Sequence, residues 1–153
     1  MNAPRILLAD DHRMVGEGLK KLLSSEFDVV GLVEDGLALI DAAKKLDPDI
    51  ILADISMPRL DGLKALVQLK KDNPRVKVVL LTMHQDAVFA RRAWEAGAVG
   101  YVVKCAAAAE LATAIRAVLD GKKYFAPNLT GGNLSDEIQV GRPVCEEPRR
   151  FKE

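Results

Sequence analysis

Residues 49–62 read D-I-I-L-A-D-I-S-M-P-R-L-D-G and contain the signal that decides the fold. The apolar run 50–53 has the length of a buried strand, Asp54 stands at its end, and Pro58 and Gly62 then interrupt the pattern. Parallel strands that are buried on both faces are continuously apolar. Ligands of open α/β sheets bind outside the carboxyl ends of the strands. Asp54 is therefore the first candidate for a functional side chain.

Outward from this stretch, short apolar runs alternate with runs in which apolar residues recur at helical spacing. The runs typical of strands cover residues 6–9, 28–33, 50–53, 76–81 and 99–103. Strands that alternate with helices of this length indicate a parallel sheet with helices on both faces. We therefore predict a doubly wound α/β domain with a five-stranded parallel sheet.

The first apolar run ends in Asp10 and Asp11, at the same edge of the predicted sheet as Asp54. Two like charges about 4 Å apart repel each other by roughly 4 kcal/mol at an effective dielectric constant near 20. Such a cluster must therefore bind a proton, a base or a cation. A hard divalent cation with oxygen ligands is the natural partner.

The fourth and fifth predicted strands also end in polar side chains, Thr82 and Lys104. The edge then combines a carboxylate nucleophile, a cluster able to hold a metal ion, a hydroxyl and a cation. This set suits transfer of a phosphoryl group onto a carboxylate, because the cations neutralise developing charge and the hydroxyl donates a hydrogen bond to the product.

Composition limits the partners that the chain can attract. The sequence has 22 basic and 22 acidic residues, so its zero net charge gives no global attraction to nucleic acid or to an anionic membrane. No run is long enough to span a bilayer and the N-terminus lacks a signal-peptide pattern, so we expect a cytoplasmic protein without a membrane partner. Cys105 and Cys145 lack metal-ligand spacing and are interpreted as reduced thiols.

Four segments carry a resemblance to a known family: L-L-A-D-D-H (7–12), I-I-L-A-D-I-S-M-P-R-L-D-G (50–62), V-V-L-L-T-M-H (78–84) and A-G-A-V-G-Y-V-V-K (96–104). Together they resemble a response-regulator receiver domain of two-component systems. The last two are most similar to the NarL/FixJ (LuxR-type) subgroup, whose members join a receiver to a C-terminal DNA-binding helix-turn-helix. The resemblance implies a flavodoxin-like strand order, 2-1-3-4-5.

The resemblance also implies roles for the acidic residues. It implies that Asp54 is the phosphoacceptor. It implies Asp11, Asp54 and the backbone carbonyl of Ser56 as ligands of Mg²⁺, with Asp10 acting on the metal mainly through water.

For the remaining edge residues, the resemblance implies that Thr82 and Lys104 contact the phosphoryl group and that Tyr101 is the switch aromatic. His12 and His84 are also candidates for ligands or acid/base groups. Neither histidine has a partner at a useful spacing in the sequence, so we assign no role to them.

As a function, the resemblance implies a regulatory domain that accepts its phosphoryl group from a sensor histidine kinase. Such a domain is not an enzyme, although it assists its own phosphorylation and dephosphorylation, and it homodimerises through its fourth helix, fifth strand and fifth helix. One alternative is a small Mg²⁺-dependent phosphotransferase or phosphatase. The haloacid-dehalogenase type requires D-x-D after the third strand, and Ser56 stands where that motif has its second aspartate. A phosphorylation-independent interaction module is the other alternative.

We predict that the receiver covers residues 4–125 and that residues 126–153 form a linker or tail. Proline and glycine residues recur along this last stretch, which has little helical or strand periodicity. It is too long to be a structureless loop of a compact domain. The resemblance implies that a helix-turn-helix domain follows such a linker. We therefore expect these 153 residues to bind no DNA specifically, and the full-length protein to regulate transcription.

Overall fold

The structure is a computed structural model that describes residues 3–57, 59–82, 87–103, 108–125 and 138–140. Its strands are β1 Arg5–Ala9, β2 Asp28–Val33, β3 Ile50–Asp54, β4 Val78–Thr82, β5 Gly100–Val103, β6 Lys123–Phe125 and β7 Ile138–Val140. Its helices are α1 Arg13–Leu23, α2 Gly36–Leu46, α3 Gly62–Asp72, α4 Ala87–Ala96 and α5 Ala108–Leu119. None of these helices in the described ranges combines the length and the apolar character needed to cross a membrane.

The strands form one parallel sheet in the order β2-β1-β3-β4-β5-β6-β7. The predicted fold class is confirmed, since β1 to β5 have the doubly wound order 2-1-3-4-5. Helices α2, α3 and α4 pack on one face of the sheet, around Leu39, Leu66 and Ala93. Helices α1 and α5 pack on the other face, around Leu23 and Ile115. Both faces are thus buried, which explains why the central strands are apolar throughout.

The sheet has two strands more than the five that the sequence predicts. Strand β6 pairs with β5, with Tyr101 opposite Phe125, and β7 pairs with β6. Each added strand has three residues, which is too few to show the alternation or the apolar run by which longer strands are predicted. Strand β7 lies within the range that the sequence assigns to the linker.

Carboxylate caps start the two helices that follow β2 and β3. Asp35 accepts a hydrogen bond from the backbone N–H of Ala38 at 2.8 Å, at the start of α2. Asp61 accepts one from the backbone N–H of Lys64 at 2.8 Å, at the start of α3. Such caps satisfy N–H groups that have no partner inside the helix. The cap at Asp61 also fixes the end of the loop that begins after Asp54.

Candidate functional site

Strand register brings three polar side chains to the carboxyl edge of the sheet. Ala9 is the partner of Ala53, so Asp10 and Asp54 follow at the same level of neighbouring strands. Thr82 comes one residue after Leu81, the partner of Asp54. The exposed fractions of Asp10, Asp54 and Thr82 are only 0%, 3% and 7%. Buried carboxylates require compensating partners, so this edge differs from an ordinary strand end.

The acidic side chains at this edge form one tight group. Asp10, Asp11 and Asp54, together with His12, each offer a ligand atom, and these atoms all lie within 4.8 Å of one another. Carboxylate oxygens are the hard donors that Mg²⁺ and Ca²⁺ prefer. The donor set therefore fits a divalent cation, which would offset the repulsion among the three carboxylates.

His12 belongs to this group, although the sequence shows no partner for it at a useful spacing. Its Nδ1 lies 3.0 Å from Oδ1 of Asp11 and 3.6 Å from Oδ1 of Asp10. Its backbone N–H donates to Oδ1 of Asp10 at 2.8 Å. The tight turn between β1 and α1 folds these adjacent residues onto one another, which a search for spaced partners does not consider. The adjacency of His12 to the acidic pair is the signal that could have found it.

Hydrogen bonds hold the loop between β3 and α3 against the end of β3, where Asp54 lies. The backbone N–H of Ser56 donates to Oδ1 of Asp54 at 3.2 Å, and that of Gly62 donates to the carbonyl of Ile55 at 2.8 Å. A Cβ atom on Gly62 would lie 2.5 Å from the carbonyl oxygen of Asp54, so only glycine permits this close approach. The loop therefore holds Ser56 beside the carboxylate of Asp54.

Tyr101 stands on β5 with none of its surface exposed. Its ring stacks on Phe125 of β6, with centroids 6.1 Å apart, and Phe125 meets Trp94 of α4 edge-on at 5.4 Å. The ammonium group of Lys123 lies 4.2 Å from the centroid of the Trp94 ring. The local sequence pattern does not single out Phe125 and Lys123, because their importance depends on the pairing of β6 with β5.

A cleft of about 460 Å³ opens beside the acidic group, between the β3–α3 loop and α4. Asp11 and Ser56 line it on one side, and Phe89 and Arg92 of α4 line it on the other. The guanidinium carbon of Arg92 lies 5.9 Å from the centroid of the Phe89 ring. Nothing in the sequence pattern singles out Arg92, because its position depends on how α4 is rotated towards the loop.

Several residues discussed above lie outside the described ranges. Lys104, His84 and both cysteines are among them, as is most of the range 126–153. Of the residues assigned to the site from the sequence, the structure describes Asp10, Asp11, Asp54, Ser56, Thr82 and Tyr101. It gathers the first five at the carboxyl edge and places Tyr101 in the core, opposite Leu80 of β4. In this arrangement Asp54 can act as a nucleophile that a neighbouring cation activates.

Comparison with known proteins points to one family. A family model described as response regulator receiver domain matches residues 6–116. The chain is 37% identical over 154 residues to the transcriptional regulatory protein DegU of Brevibacillus brevis. That match covers 99% of this chain but only 64% of the relative, so the chain spans less than two thirds of that protein.

Solved structures agree with this match. A LuxR-family two-component response regulator from Aurantimonas sp. SI85-9A1 superposes with a TM-score of 0.80 at 34% identity, covering 84% of this chain and 93% of that one. The isolated REC domain of RcsB from Salmonella enterica serovar Typhimurium, in the presence of phosphomimetic BeF₃⁻, superposes with a TM-score of 0.76 at 30% identity. This second match covers 84% of this chain and 97% of that one.

Proposed function

The chain belongs to the response regulator receiver family of two-component systems, with relatives of the NarL/LuxR type, and from this premise we propose that it is a switch phosphorylated on Asp54. The observation that carries the proposal is the position of Asp54. It is nearly buried at the end of β3, and its carboxylate lies within 4.8 Å of ligand atoms of Asp10 and Asp11. In this proposal, residues 4–125 form the receiver and residues 126–153 form a linker.

The cation in the proposal is Mg²⁺, with Asp11, Asp54 and the backbone carbonyl of Ser56 as its ligands and Asp10 acting mainly through water. When bound, Mg²⁺ would neutralise charge between the carboxylates and the incoming phosphoryl group. The protein supplies the fixed donors. Asp10 accepts a hydrogen bond from the N–H of His12 and Asp54 accepts one from the N–H of Ser56, so both carboxylates are oriented before a cation arrives.

In the transfer step a carboxylate oxygen of Asp54 attacks phosphorus, and the bond from phosphorus to the donor breaks, the electron pair leaving with the donor. With a sensor histidine kinase the broken bond is the phosphorus–nitrogen bond of a phosphohistidine. Thr82, at the end of the neighbouring strand, and Lys104 are the proposed contacts of the transferred group. Catalysis by positioning and charge stabilisation is sufficient for such a reaction.

The proposed response is a shift between two conformations and not a new fold. Thr82 and Tyr101 are the proposed switch residues, and the surface made by α4, β5 and α5 is the proposed dimer interface. The structure adds β6 to this region, because β6 occupies the outer edge of β5. In the full-length protein, dimerisation would control a C-terminal DNA-binding domain. The likeness to a transcriptional regulatory protein supports this part of the proposal.

One experiment tests both parts of the proposal. The chain is incubated with a small phosphodonor with and without Mg²⁺, and its intact mass and its molecular mass by scattering are measured on the same sample. We expect a gain of one phosphoryl group that requires Mg²⁺, together with a monomer that becomes a dimer.

The variant Asp54→Asn should show no gain in mass. The variant Asp28→Asn is a matched control, because it removes an exposed carboxylate at the start of β2, at the opposite end of the strands from the proposed ligands. It should behave as wild type. A mass gain that persists in Asp54→Asn would place the nucleophile elsewhere. A monomer that remains a monomer after full modification would refute the proposed dimer.

A further inference from the structure

The cleft between the β3–α3 loop and α4 has the size of a small-molecule site. Its volume of about 460 Å³ falls within the range of about 300–1,000 Å³ that is typical of ligand pockets. It opens beside Asp11 and Ser56, which the proposed function places at the phosphoryl-transfer site. A phosphodonor that approaches Asp54 therefore has room along α4 for atoms other than the transferred group.

The negative charge of the carboxylates near this cleft repels a negatively charged phosphodonor. Asp10, Asp11 and Asp54 carry the same sign as the donor's phosphoryl oxygens, and they lie within 4.8 Å of one another. Asp61 also lines the cleft, although its Oδ1 is occupied by the N–H of Lys64 as the cap of α3. Among the lining residues that the structure describes, Arg92 is the only one with a positive charge.

Arg92 is suited to contact an anion. It is exposed on α4, and its guanidinium lies against the face of Phe89, an arrangement that restrains a cation without occupying its N–H donors. Across the described part of the chain, it forms no ion pair. A planar fork of N–H donors matches the oxygens of a phosphoryl group or a carboxylate.

We propose that Arg92 attracts and positions dianionic phosphodonors, such as acyl phosphates, that reach Asp54 through the cleft between the β3–α3 loop and α4; the inference rests on the proposed function of Asp54. In the reaction with acetyl phosphate, an oxygen of Asp54 attacks phosphorus. The bond from phosphorus to the acetate oxygen breaks, and acetate leaves with the electron pair. Arg92 does not touch the reacting atoms, so it lowers KM and leaves kcat unchanged.

The test compares Arg92→Gln with Arg91→Gln. Both variants remove one positive charge from an exposed position of α4, but Arg91 does not line the cleft. With acetyl phosphate and Mg²⁺, initial rates of mass gain should give a KM about twofold to fivefold higher for Arg92→Gln, the factor expected for one screened ion pair. Arg91→Gln should match wild type, and Arg92→Lys should recover most of the difference.

Two further measurements separate attraction by charge from a structural role. Phosphoramidate carries less negative charge at neutral pH than acetyl phosphate, so Arg92→Gln should affect its KM less. Raising the ionic strength from about 0.01 M to 0.15 M should also shrink the difference between wild type and Arg92→Gln, because the Debye length falls from about 30 Å to 8 Å.

Binding of unreactive acetylphosphonate, followed by amide chemical shifts, tests the inference without any transfer. Its affinity should fall in Arg92→Gln by the same factor as the KM of acetyl phosphate rises. Equal affinity or equal KM in wild type and Arg92→Gln, or an equal loss in Arg91→Gln, would overturn the role of Arg92 while Asp54 is still modified. A wild-type chain that acetyl phosphate never modifies would instead refute the proposed function, and the phosphonate titration would still decide the inference.

Discussion

The carboxyl edge of the sheet and its outer edge beyond β5 are held together by different forces. At the carboxyl edge, Asp10 and Asp54 are buried within 4.8 Å of a third carboxylate, an arrangement in which like charges repel. At the outer edge, Tyr101 and Phe125 are fully buried and their rings stack. Repulsion between the carboxylates opposes folding in the first arrangement and a bound cation would offset it, whereas burial and stacking of the rings stabilise the second. Conflicts between local energetics and the fold are expected at functional sites, which is why we place the chemistry at the carboxyl edge.

Phe125→Ala should produce the largest change in stability and should leave the chemistry intact. It removes a buried ring that contacts both Tyr101 and Trp94, and such truncations lower the free energy of unfolding by about 3–5 kcal/mol. Urea unfolding measures this loss. Under conditions where the variant is folded, Mg²⁺-dependent mass gain should persist.

Leu37→Ala is the control for Phe125→Ala, because 51% of Leu37 is exposed and its truncation should change stability by no more than about 0.5 kcal/mol. If Phe125→Ala unfolds at the same urea concentration as wild type, the outer edge does not stabilise the domain. If it folds normally but gains no phosphoryl group, the two edges are not separable as we describe.

Asp11→Asn should change the free energy of unfolding less than Phe125→Ala does. The change should have the opposite sign without Mg²⁺, and its size should depend on whether Mg²⁺ is present. Without Mg²⁺, removing one charge relieves repulsion, so the free energy of unfolding should stay the same or rise by up to about 1 kcal/mol. With Mg²⁺ at about 100 times its Kd, wild type should gain about 2.7 kcal/mol, and Asp11→Asn should lose most of that gain at the same concentration. Urea unfolding with and without Mg²⁺ measures both effects.

Asp28→Asn is the control for this comparison, since it removes an equal charge away from the cluster and should keep the full Mg²⁺ effect. An Asp11→Asn variant that Mg²⁺ stabilises as strongly as it stabilises wild type would remove Asp11 from the ligand set. A variant that is clearly less stable than wild type without metal would show that the contacts of Asp11, including the one with His12, outweigh the repulsion between the carboxylates.

The two edges were not equally predictable from sequence. At the carboxyl edge, apolar runs long enough to identify as strands end in Asp10, Asp54 and Thr82, and parallel strands align their ends. The position of each side chain at the end of a predicted strand was therefore enough to predict that these side chains lie close together. The strand order itself came only from the resemblance, because periodicity does not reveal which strands are neighbours.

The remaining features depend on contacts that no local pattern encodes. Strand β6 is three residues long, and the burial of Phe125 follows from its pairing with β5. The contact between His12 and Asp11 follows from the geometry of a turn, and the place of Arg92 in the cleft follows from the rotation of α4. Each of these requires the assembled fold, in which tertiary context overrides local propensity.

The most direct measurement of the central claim locates the modified residue. Borohydride reduces an aspartyl phosphate to an alcohol, and peptide mass spectrometry then identifies the position of the reduced side chain. After treatment with acetyl phosphate and Mg²⁺, the account predicts that reduction occurs at Asp54 and at none of the other carboxylates, including the neighbouring Asp10 and Asp11. Reduction at either neighbour, or a phosphorylated chain in which no aspartate is reduced, would contradict it.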